Sequence, residues 1–498
     1  MTKQIKKILI ANRSEIALRV IKTCQEMGIK TVTLYTSKES DLPHAKAGDE
    51  SFNFGQGSLA DTYLNQEKII ELALKSNACA IHPGYGFLSE NALFCKKVKA
   101  AGLIFIGPSE ESMQLMGSKK NSKQKMQEIG VPVVPGYHGE IQEADYLLKE
   151  AKKIGFPVLI KASAGGGGKG MRVVHQESEF NESLASAKRE AKNAFGDEVM
   201  LIEKYIMQPR HIEVQVLSDS HGHHLHLFER ECSIQRRHQK IIEETPSPAL
   251  TENKRKEMTD SAINITKNIN YLGAGTVEFI FDENDNFYFL EMNTRLQVEH
   301  PVTEMVVGID LVKQQILVAQ GEALSLSQEQ IKQTGHAIEV RIYAEDPDNS
   351  FMPSTDRILY IGQTAKEQSR LDCGYKDGNM VSTDFDPMLA KLSCWGDDRN
   401  QAINEVLNEL DHLPFLGLIT NRDYLKRILK TNKFVDGELS TNFVNDYKDQ
   451  LAPQELNERQ VAVAIATMMF ADFTPELNFN KQGQNKTAWD RLIQFRNV

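Results

Sequence analysis

Short apolar runs alternate with helical segments through the first 117 residues, and this alternation constrains the fold more than any other feature of the sequence. Between the first two runs, apolar side chains recur at helical spacing over residues 16–27, and Gly28 then ends the helix. The predicted strands are residues 5–11, 31–35, 79–81 and 103–106. Strands that alternate with helices predict an open, mostly parallel α/β domain over residues 1–117.

Two turns of this predicted domain carry unusual residues. Asn12 and Arg13 follow the first strand, and the run His82–Gly86, which reads His-Pro-Gly-Tyr-Gly, follows the third. Ligands of open parallel sheets bind outside the carboxyl ends of the strands, so both turns face a possible site. A rigid loop without a ligand is the alternative interpretation of the second turn.

The rest of the chain divides into three further predicted parts. Residues 118–206 contain their own strands and a glycine-rich loop, and residues 207–447 form an α+β region rich in strands. Residues 448–498 form a tail with one apolar helix candidate, Val461–Phe470. The predicted fold class therefore combines an α/β domain with α+β regions, and a length of 498 residues suits two to four domains at roughly 100–200 residues each.

Composition excludes several classes of protein. With 41% hydrophobic and 25% charged residues, the chain is neither collagen-like nor wholly disordered. Its 58 Lys+Arg against 68 Asp+Glu argue against a nucleic-acid binder. The six cysteines form no Cys-x-x-Cys pair, which favours reduced thiols over a disulfide framework or a zinc site. No window of about 20 apolar residues predicts a membrane helix, so we expect a soluble cytoplasmic protein.

The glycine-rich loop and the lysines near it suggest a nucleotide site. Residues 165–170 hold five glycines, but their spacing matches neither the P-loop nor the dinucleotide fingerprint. Lys161 lies in an otherwise apolar strand, where an unpaired ammonium would be costly, and a polyphosphate would explain it. Lys119 is a second candidate for phosphate, and Glu203 with Lys204 could receive the polar edge of a base. A mobile surface loop is the alternative for the glycines.

A predicted hairpin presents two carboxylates. If Asp282 pairs with Phe287 across the turn, Glu278 and Glu291 lie directly opposite on one face, where two like charges destabilise a sheet. A divalent cation between them removes the repulsion, and Asn293 can add a neutral oxygen, a set that suits Mg²⁺. Two solvent-exposed glutamates on an edge hairpin are the alternative.

The segment after the hairpin adds a cation, an amide and a potential base. Arg295, Gln297 and Glu299 alternate and share the face of the hairpin carboxylates if the strand continues. An arginine fork fits a small planar oxyanion such as bicarbonate. Upstream, the basic run around His238 and Lys240 could bind an anion or phosphate, although a solvated charged loop is the alternative.

Four segments together resemble the biotin carboxylases of the ATP-grasp class. The likeness covers about residues 5–445, and its motifs are long and specific. The segments are His82–Asn91, Lys161–Arg172, Arg236–Lys240 and Glu291–Pro301. The resemblance implies an N-terminal pre-ATP-grasp domain with an open parallel sheet, an ATP-grasp lid and central domain, and a C-terminal biotin carboxylase domain.

The resemblance also implies a reaction and a set of site residues. ATP would phosphorylate bicarbonate to carboxyphosphate, which delivers CO₂ to biotin held on a carrier protein. The residues implied for ATP are Lys119, Lys161, Gly167, Gly168, Met171, Glu203, Lys204, Ile206, His211 and His238. Those implied for two Mg²⁺ or Mn²⁺ ions are Glu278, Glu291 and Asn293, and those for bicarbonate are Lys240, Arg295, Gln297 and Val298. Glu299 would be the general base and Arg341 would stabilise the biotin enolate, with Lys240 and Arg295 also catalytic.

The likeness is greatest to the α subunits of acyl-CoA carboxylases of the methylcrotonyl or propionyl type, with two departures. Ser14 stands where the family commonly has glycine, and Phe385 where it commonly has tyrosine. No Met-Lys-Met sequence is present, so we expect biotin on a separate carrier chain, together with a carboxyltransferase partner and a homodimer or larger complex.

Three alternatives to this assignment stay open. One is the biotin carboxylase subunit of a split pyruvate carboxylase, which would share the same reaction. The others are a different ATP-grasp ligase acting on a small carboxylate, and a non-catalytic assembly subunit of the same fold.

Overall fold

The N-terminal part of the chain forms a five-stranded sheet in which every neighbouring pair is parallel, in the order β3-β2-β1-β4-β5. The structure is a computed structural model that describes residues 4–163 and 170–453. The elements of this part are β1 (Lys7–Ile10), α1 (Ser14–Glu26), β2 (Lys30–Tyr35), α2 (Pro43–Ala47), β3 (Glu50–Asn53), α3 (Gln66–Lys75), β4 (Ala80–His82), α4 (Ala92–Ala100) and β5 (Ile104–Phe105). The predicted open parallel sheet is thereby confirmed.

Two helices lead into a smaller antiparallel sheet with the order β6-β9-β7-β8. The elements are α5 (Glu110–Gly117), α6 (Lys119–Glu128), β6 (Gly136–Tyr137), α7 (Ala144–Ile154), β7 (Val158–Ala162), β8 (Arg172–Val174), α8 (Phe180–Phe195) and β9 (Met200–Lys204). Apolar side chains of α7 and α8, such as Leu147 and Leu184, pack on the apolar face of the sheet with Val158 and Ile160. We call this unit the lid sheet.

A single eight-stranded antiparallel sheet runs through the rest of the described chain, in the order β14-β13-β10-β11-β12-β15-β20-β19. Its strands are β10 (Arg210–Ser218), β11 (His224–Arg236), β12 (Gln239–Thr245), β13 (Gly273–Phe281), β14 (Phe287–Asn293), β15 (His336–Tyr343), β19 (Ser369–Cys373) and β20 (Met388–Gly396). The short strands are β16 (Glu345–Asp346), β17 (Met352–Pro353), β18 (Tyr360–Ile361) and β21 (Phe415–Leu416). We call the large sheet the central sheet.

Helices cover the central sheet. They are α9 (Glu252–Asn268), α10 (His300–Val307), α11 (Leu311–Ala319), α12 (Arg399–His412), α13 (Arg422–Leu429), α14 (Asn432–Val435) and α15 (Phe443–Asp446). Short 3₁₀ helices lie at Ser37–Glu39, Leu59–Asp61, Glu177–Glu179, Gln328–Gln330 and Pro347–Asn349. The predicted tail helix, Val461–Phe470, lies outside the described residues.

Strand alternation gives the central sheet one apolar and one charged face. Ile212 and Val214 of β10 pack in the same core as Val277 and Phe279 of β13, together with apolar residues of α9. Successive side chains of a strand point to opposite faces. The residues between the apolar ones, such as Glu213, are therefore presented on the other face, where the candidate site lies.

Two further expectations concern cysteines and membranes. The six cysteines are free thiols, as their spacing predicts. Within residues 4–163 and 170–453, no helix combines the length and the apolar character needed to cross a membrane.

Candidate functional site

The two turns singled out in the N-terminal sheet meet at the edge of a cavity. The Asn12 side-chain amide donates to the carbonyls of Pro83 and Tyr85 at 2.8 and 2.7 Å. Gly84 has a φ of +64°, and a Cβ there would lie 2.9 Å from the Asn12 amide nitrogen, so the close approach of the turns requires glycine. The contact confirms that the turns lie together beside a possible site.

The cavity beside these turns has a volume of about 500 Å³. Residues of the N-terminal sheet, including Arg13 and Tyr85, line it together with Arg295, Val298 and Arg341. Three of the residues predicted to act on bicarbonate or biotin therefore share one cavity with the turns.

The two departures from the family pattern also lie at this cavity. Ser14 adopts a φ of +56°, a left-handed conformation that favours glycine, so the turn keeps its shape although the residue is serine. Phe385 packs under the Arg13 guanidinium, which lies 4.0 Å from the ring centroid. Both departures change the cavity wall without touching a predicted metal ligand.

The predicted hairpin carboxylates face each other, but by a different register near the turn. Phe281 pairs with Phe287, so the predicted pairing of Asp282 with Phe287 is wrong by one residue. A bulge at Leu290 then restores the predicted pairing of Glu278 with Glu291. An extra residue in one strand re-aims the side chains that follow it. The bulge turns Glu291 away from the apolar face that Phe287 occupies.

Lys240 of β12 joins three carboxylates of this charged face. Its ammonium lies 2.6 Å from Glu213, 2.9 Å from Glu278 and 2.7 Å from Glu299. Burial alone would lower the pKa of Lys240, but the three carboxylates outweigh it and hold the pKa well above its usual range. Lys240 is therefore a fixed cation at the centre of the site.

Arg230 of β11 supports the same face and was missed at the sequence level. Its side chain is 0% exposed and donates to Glu213 at 2.6 Å, to Gln215 at 2.8 Å and to Gln297 at 2.7 Å. The only signal available in the sequence was its position between Glu229 and Glu231, which strand alternation sends to the opposite face. Arg230 fixes Gln297, whose amide in turn donates to Glu278 at 2.8 Å.

Glu299 is ionised between two cations. Besides Lys240, it accepts from the Arg341 guanidinium at 2.9 Å. Burial would raise the pKa of Glu299, but Lys240 and Arg341 hold it well below its usual range. Glu299 therefore carries the charge that a general base needs, and Lys240 and Arg341 provide its hydrogen bonds.

Arg341 is shared between Glu299 and a second carboxyl, Glu243 of β12, whose Oε1 accepts from Nε at 2.6 Å. Burial raises the pKa of Glu243 to about 8, against the lowering effect of Arg341. Glu243 lies directly opposite Glu339 of β15, so a second pair of facing carboxyls exists in the sheet. When Glu243 is neutral, Glu299 is the charged one of the two carboxyl groups that contact Arg341.

Arg295 and Val298 reach the site from a loop, because β14 ends at Asn293 and does not continue as predicted. Arg295 donates to Glu90 at 2.9 Å and to the side-chain amide oxygen, Oδ1, of Asn293 at 2.7 Å. The backbone carbonyl of Val298 accepts from the buried Lys391 at 2.6 Å. The predicted bicarbonate residues therefore converge from the loop and from β12 rather than along one strand.

The hairpin residues fit the divalent cation that the resemblance implies. Burial, followed by the charge of Glu278, raises the pKa of Glu291, so these facing carboxyls repel each other without a cation. His211 contacts Glu278 at 2.9 Å, and His211, Glu213 and Glu278 each bring a ligand atom within 4.8 Å of the others. Carboxylate-rich donor sets suit Mg²⁺ or Mn²⁺.

A second charged cluster lies on the lid sheet around Glu203. Lys161 lies 2.7 Å from Oε2 of Glu203, and the His138 ring lies 3.0 Å from Oε1. Lys123, which is 0% exposed, also contacts Oε1. Lys161 thus has a partner within the chain, so its position in an apolar strand does not by itself require a polyphosphate. Lys123 and His138 were missed because their positions on α6 and after β6 carry no motif.

The other residues predicted for the nucleotide are spread around the lid. The Lys204 ammonium binds the carbonyls of Gly155 and Phe156 at 2.9 and 3.2 Å, so its side chain closes the end of α7. Ile206 and Met171 are half-buried, whereas His238 is exposed at the turn between β11 and β12. Gly167 and Gly168 lie outside the described residues. Lys119 begins α6, and its pKa is lowered by burial although Glu291 raises it.

The clusters carry opposite charge surpluses. We call the first the sheet cluster: the carboxyls Glu213, Glu243, Glu278, Glu291 and Glu299 with the cations Arg230, Lys240 and Arg341 and with His211. The second is the lid cluster: Glu203 with Lys123, Lys161 and His138. Carboxyl groups outnumber fixed cations five to three in the sheet cluster, or four to three when Glu243 is neutral, and two lysines share one carboxylate in the lid cluster.

Three family models match consecutive parts of the chain. The model of the biotin carboxylase N-terminal domain matches residues 4–113. That of the carbamoyl-phosphate synthase L chain ATP binding domain matches residues 118–327. That of the biotin carboxylase C-terminal domain matches residues 339–446.

Two kinds of relative match the chain: subunits that are longer than the matched region, and a protein that is matched over nearly its whole length. It is 47% identical over 497 residues to the mitochondrial methylcrotonoyl-CoA carboxylase subunit alpha of Dictyostelium discoideum, covering 99% of this chain and 71% of that protein. The corresponding subunit of Rattus norvegicus is 50% identical over 93% of this chain and 65% of its own length, so the chain spans less than two thirds of that relative. Biotin carboxylase 2 of Bacillus subtilis is 46% identical over 89% of this chain and 99% of its own length.

Solved structures have the same fold. A biotin carboxylase complex with β,γ-ATP from Campylobacter jejuni matches with a TM-score of 0.86 and 47% identity, covering 89% of this chain and 99% of that one. The biotin carboxylase domain dimer of Hydrogenobacter thermophilus 2-oxoglutarate carboxylase, in complex with MgADP, ADP and bicarbonate, matches with a TM-score of 0.87 and 44% identity over 91% of this chain and 100% of that one. The chain therefore belongs to the biotin carboxylase family of ATP-dependent ligases.

Proposed function

We propose that the chain carboxylates biotin on a carrier protein, using ATP and bicarbonate through carboxyphosphate. The observation that carries the proposal is Glu299, a buried carboxylate kept ionised by Lys240 and Arg341 beside the facing carboxyls of the hairpin. A general base has to be ionised and within reach of the proton it removes. Glu299 meets the first requirement, and the adjoining cavity gives bicarbonate and biotin room.

In the proposed reaction, the cations of the site hold anions and the base moves a proton. Arg295 and Lys240 bind bicarbonate with the Gln297 amide and the Val298 backbone, and Glu299 removes the bicarbonate proton. Lys161, Lys119 and His211 contact the ATP phosphates, and Glu203, Lys204 and Ile206 surround the adenine. Phosphoryl transfer depends mainly on positioning and on neutralisation of charge.

Glu278, Glu291 and Asn293 would hold Mg²⁺ or Mn²⁺, whose charge neutralises the phosphates when bound. Arg341 stabilises the oxyanion of biotin, a charge that exists only after biotin is deprotonated, so this interaction favours the transition state. Met171, Gly167, Gly168 and His238 complete the proposed nucleotide set. Exclusion of water protects carboxyphosphate from hydrolysis.

The proposed partners are a biotin carboxyl carrier protein and a carboxyltransferase of an acyl-CoA carboxylase. The relatives of the methylcrotonoyl and propionyl type support this assignment. A split pyruvate carboxylase is the second candidate, favoured by a 45% identical biotin carboxylase subunit of pyruvate carboxylase with a TM-score of 0.80. We propose a homodimer, as in the Hydrogenobacter thermophilus domain, and a cytoplasmic location.

The first experiment measures ADP release with bicarbonate and biotin present or omitted. We expect release to require bicarbonate and to increase with biotin, whereas another ATP-grasp ligase would require a different carboxylate. Glu299→Gln should lower biotin-dependent ADP release by about 100-fold or more while ADP still binds. Glu257→Gln, an exposed glutamate of α9, is the matched control. Full turnover by Glu299→Gln would reject the base, and no turnover by the wild type would favour an assembly subunit.

The second experiment identifies the compound that finally accepts the carboxyl group from biotin. The complex purified from native extract with the biotinylated partner is supplied with labelled bicarbonate and, in turn, with propionyl-CoA, methylcrotonyl-CoA, acetyl-CoA or pyruvate. Label in an acyl-CoA supports the first assignment, and label in the pyruvate product supports the second.

A further inference from the structure

Lys123 is a buried lysine that shares its one carboxylate partner, Glu203, with other side chains. It lies one turn after Lys119 on α6, and its ammonium contacts Oε1 of Glu203, which the His138 ring also approaches. The other oxygen of Glu203 is held by Lys161 at 2.7 Å. Two buried lysines therefore share a single acid, and burying a charge without a full partner is costly.

The groups that face Lys123 come from every element packed around the lid cluster. Lys161 belongs to β7, Glu203 to β9 and His138 to the segment after β6, while Lys119 lies on the same face of α6. Burial and the charge of Lys161 lower the pKa of Lys123 to about 7, although Glu203 acts in the opposite direction. Near neutral pH the lysine is therefore divided between its charged and neutral forms.

We propose that Lys123 takes up a proton when the polyphosphate of a nucleotide binds beside Lys161, and so acts as a positioning residue for the nucleotide site. This inference rests on the proposed function, which places the phosphates at Lys161 and Lys119. A polyanion beside the cluster offsets the repulsion between the two ammonium groups and favours the protonated lysine. By linkage, the proton that binding recruits also tightens the binding. The charged Lys123 then holds Glu203, which in turn holds Lys161.

The test is calorimetric titration of the full chain with ADP in EDTA at pH 7.5, in two buffers of different ionisation enthalpy. The difference in heat gives the number of protons taken up. For the wild type we expect about half a proton or more per ADP, because a group of pKa about 7 is largely unprotonated at pH 7.5 before binding. Uptake should fall towards zero at pH 6, where Lys123 is already protonated.

Two variants assign the proton. Lys123→Arg keeps a charge that does not titrate, so ADP should still bind without the Lys123-dependent uptake. Lys123→Met should also lose the uptake and should bind ADP about tenfold more weakly. His138→Gln is the matched control, because it replaces the other side chain that contacts Oε1 of Glu203 and should keep the uptake.

Two results would overturn the inference: unchanged uptake in Lys123→Arg, or uptake lost in His138→Gln and kept in Lys123→Arg. Uptake that persists in the wild type at pH 6 would overturn it even if both Lys123 variants fail to fold. If the wild type does not bind ADP at all, the proposed nucleotide site fails as well, so the two failures are distinguishable.

Discussion

The sheet cluster and the lid cluster are both buried, but one has too many acids and the other too many cations. In the sheet cluster, Lys240 contacts three carboxylates, two of which have a second cation in Arg230 or Arg341, and Glu291 still faces Glu278. In the lid cluster, Glu203 alone serves Lys123 and Lys161. On the proposed function, a divalent cation would neutralise the first surplus and a polyphosphate the second. A metal–nucleotide complex would then complement both clusters at once.

The supports of the two clusters also differ. Arg230 ties the sheet cluster together through hydrogen bonds to Glu213, Gln215 and Gln297, which come from β10 and from the loop before α10. Glu203 is the one anion of the lid cluster, so every cation there depends on the same carboxylate. Because more groups depend on one another in the sheet cluster, we expect substitutions there to change ligand binding and the free energy of unfolding more than substitutions in the lid cluster.

The largest expected effect follows from reversing one charge of the sheet cluster. Glu291→Lys replaces a predicted metal ligand by an ammonium near Lys119 and Lys240, so it should remove the Mg²⁺-dependent part of ADP binding, by about 100-fold or more. ADP binding without metal depends on the lid cluster and should not weaken. Calorimetry with Mg²⁺ or with EDTA measures the two components.

Glu283→Lys is the matched control for this prediction, because it makes the same charge reversal at an exposed residue of the hairpin turn. It should leave both components of ADP binding nearly unchanged. An unchanged Mg²⁺ dependence in Glu291→Lys would show that the sheet cluster does not hold the metal and would break the comparison.

How far the sequence predicts each cluster depends on whether strand alternation applies. The facing of Glu278 and Glu291 is predictable, since hairpin residues pair in order, but strict alternation would place Glu291 with Phe287 and Phe289 on the apolar face. The bulge at Leu290 corrects this, and no turn or glycine signal announces it. The facing of Glu278 and Glu291 was predicted correctly although the register near the turn was not.

The partners within each cluster were less predictable, because they come from distant segments. Arg230 and Gln297 are 67 residues apart, and Lys123 and Glu203 are 80 residues apart. Composition and periodicity describe neighbours along the chain, so they explained Lys161 by an external phosphate and missed its contact with Glu203. The parallel sheet, in contrast, follows from local alternation, and four of its five strands were predicted; the edge strand β3 was missed.

The second largest effect concerns stability. Arg230→Met would leave Glu213 buried beside Lys240 alone and would remove the support of Gln297, so we expect a loss of about 3–5 kcal/mol in the free energy of unfolding. Lys256→Met, which breaks an exposed ion pair with Asp260, should lose at most about 1 kcal/mol. Urea denaturation measures both, and equal losses would contradict the greater dependence of the sheet cluster on its buried cation.

The opposite surpluses predict opposite effects of pH on stability. Burial raises the pKa of Glu243 to about 8, above the usual value of about 4.3 of the unfolded chain, so the native state binds the extra proton. The stability that Glu243 provides is present at low pH and is lost as the pH rises towards 8. The pKa of Lys123 is lowered to about 7 from about 10.4, so its contribution rises as the pH goes from 7 towards 10.

Urea midpoints measured from pH 5 to pH 9 on the wild type, Glu243→Gln and Lys123→Met separate the two contributions. Each contribution is a slope of the free energy of unfolding against pH. Relative to the wild type, Glu243→Gln should gain stability as the pH rises from 5 to 8, and Lys123→Met should lose it above pH 7. Each slope should be of the order of 1 kcal/mol per pH unit at most. Slopes of the same sign would contradict the opposite charge surpluses.

The smallest effect is expected at a lysine of the lid that lies outside the lid cluster. Lys204 follows Glu203 directly, but its ammonium binds the carbonyls of Gly155 and Phe156 rather than a carboxylate. A cation at the end of a helix typically contributes about 0.3–1 kcal/mol. Lys204→Met should therefore cost about that much stability and change ADP affinity by less than about threefold, as should Lys192→Met, which breaks an exposed pair with Glu198. A tenfold loss of affinity in Lys204→Met alone would show that its side chain, and not only its backbone, serves the nucleotide, and would extend the cation surplus of the lid by one residue.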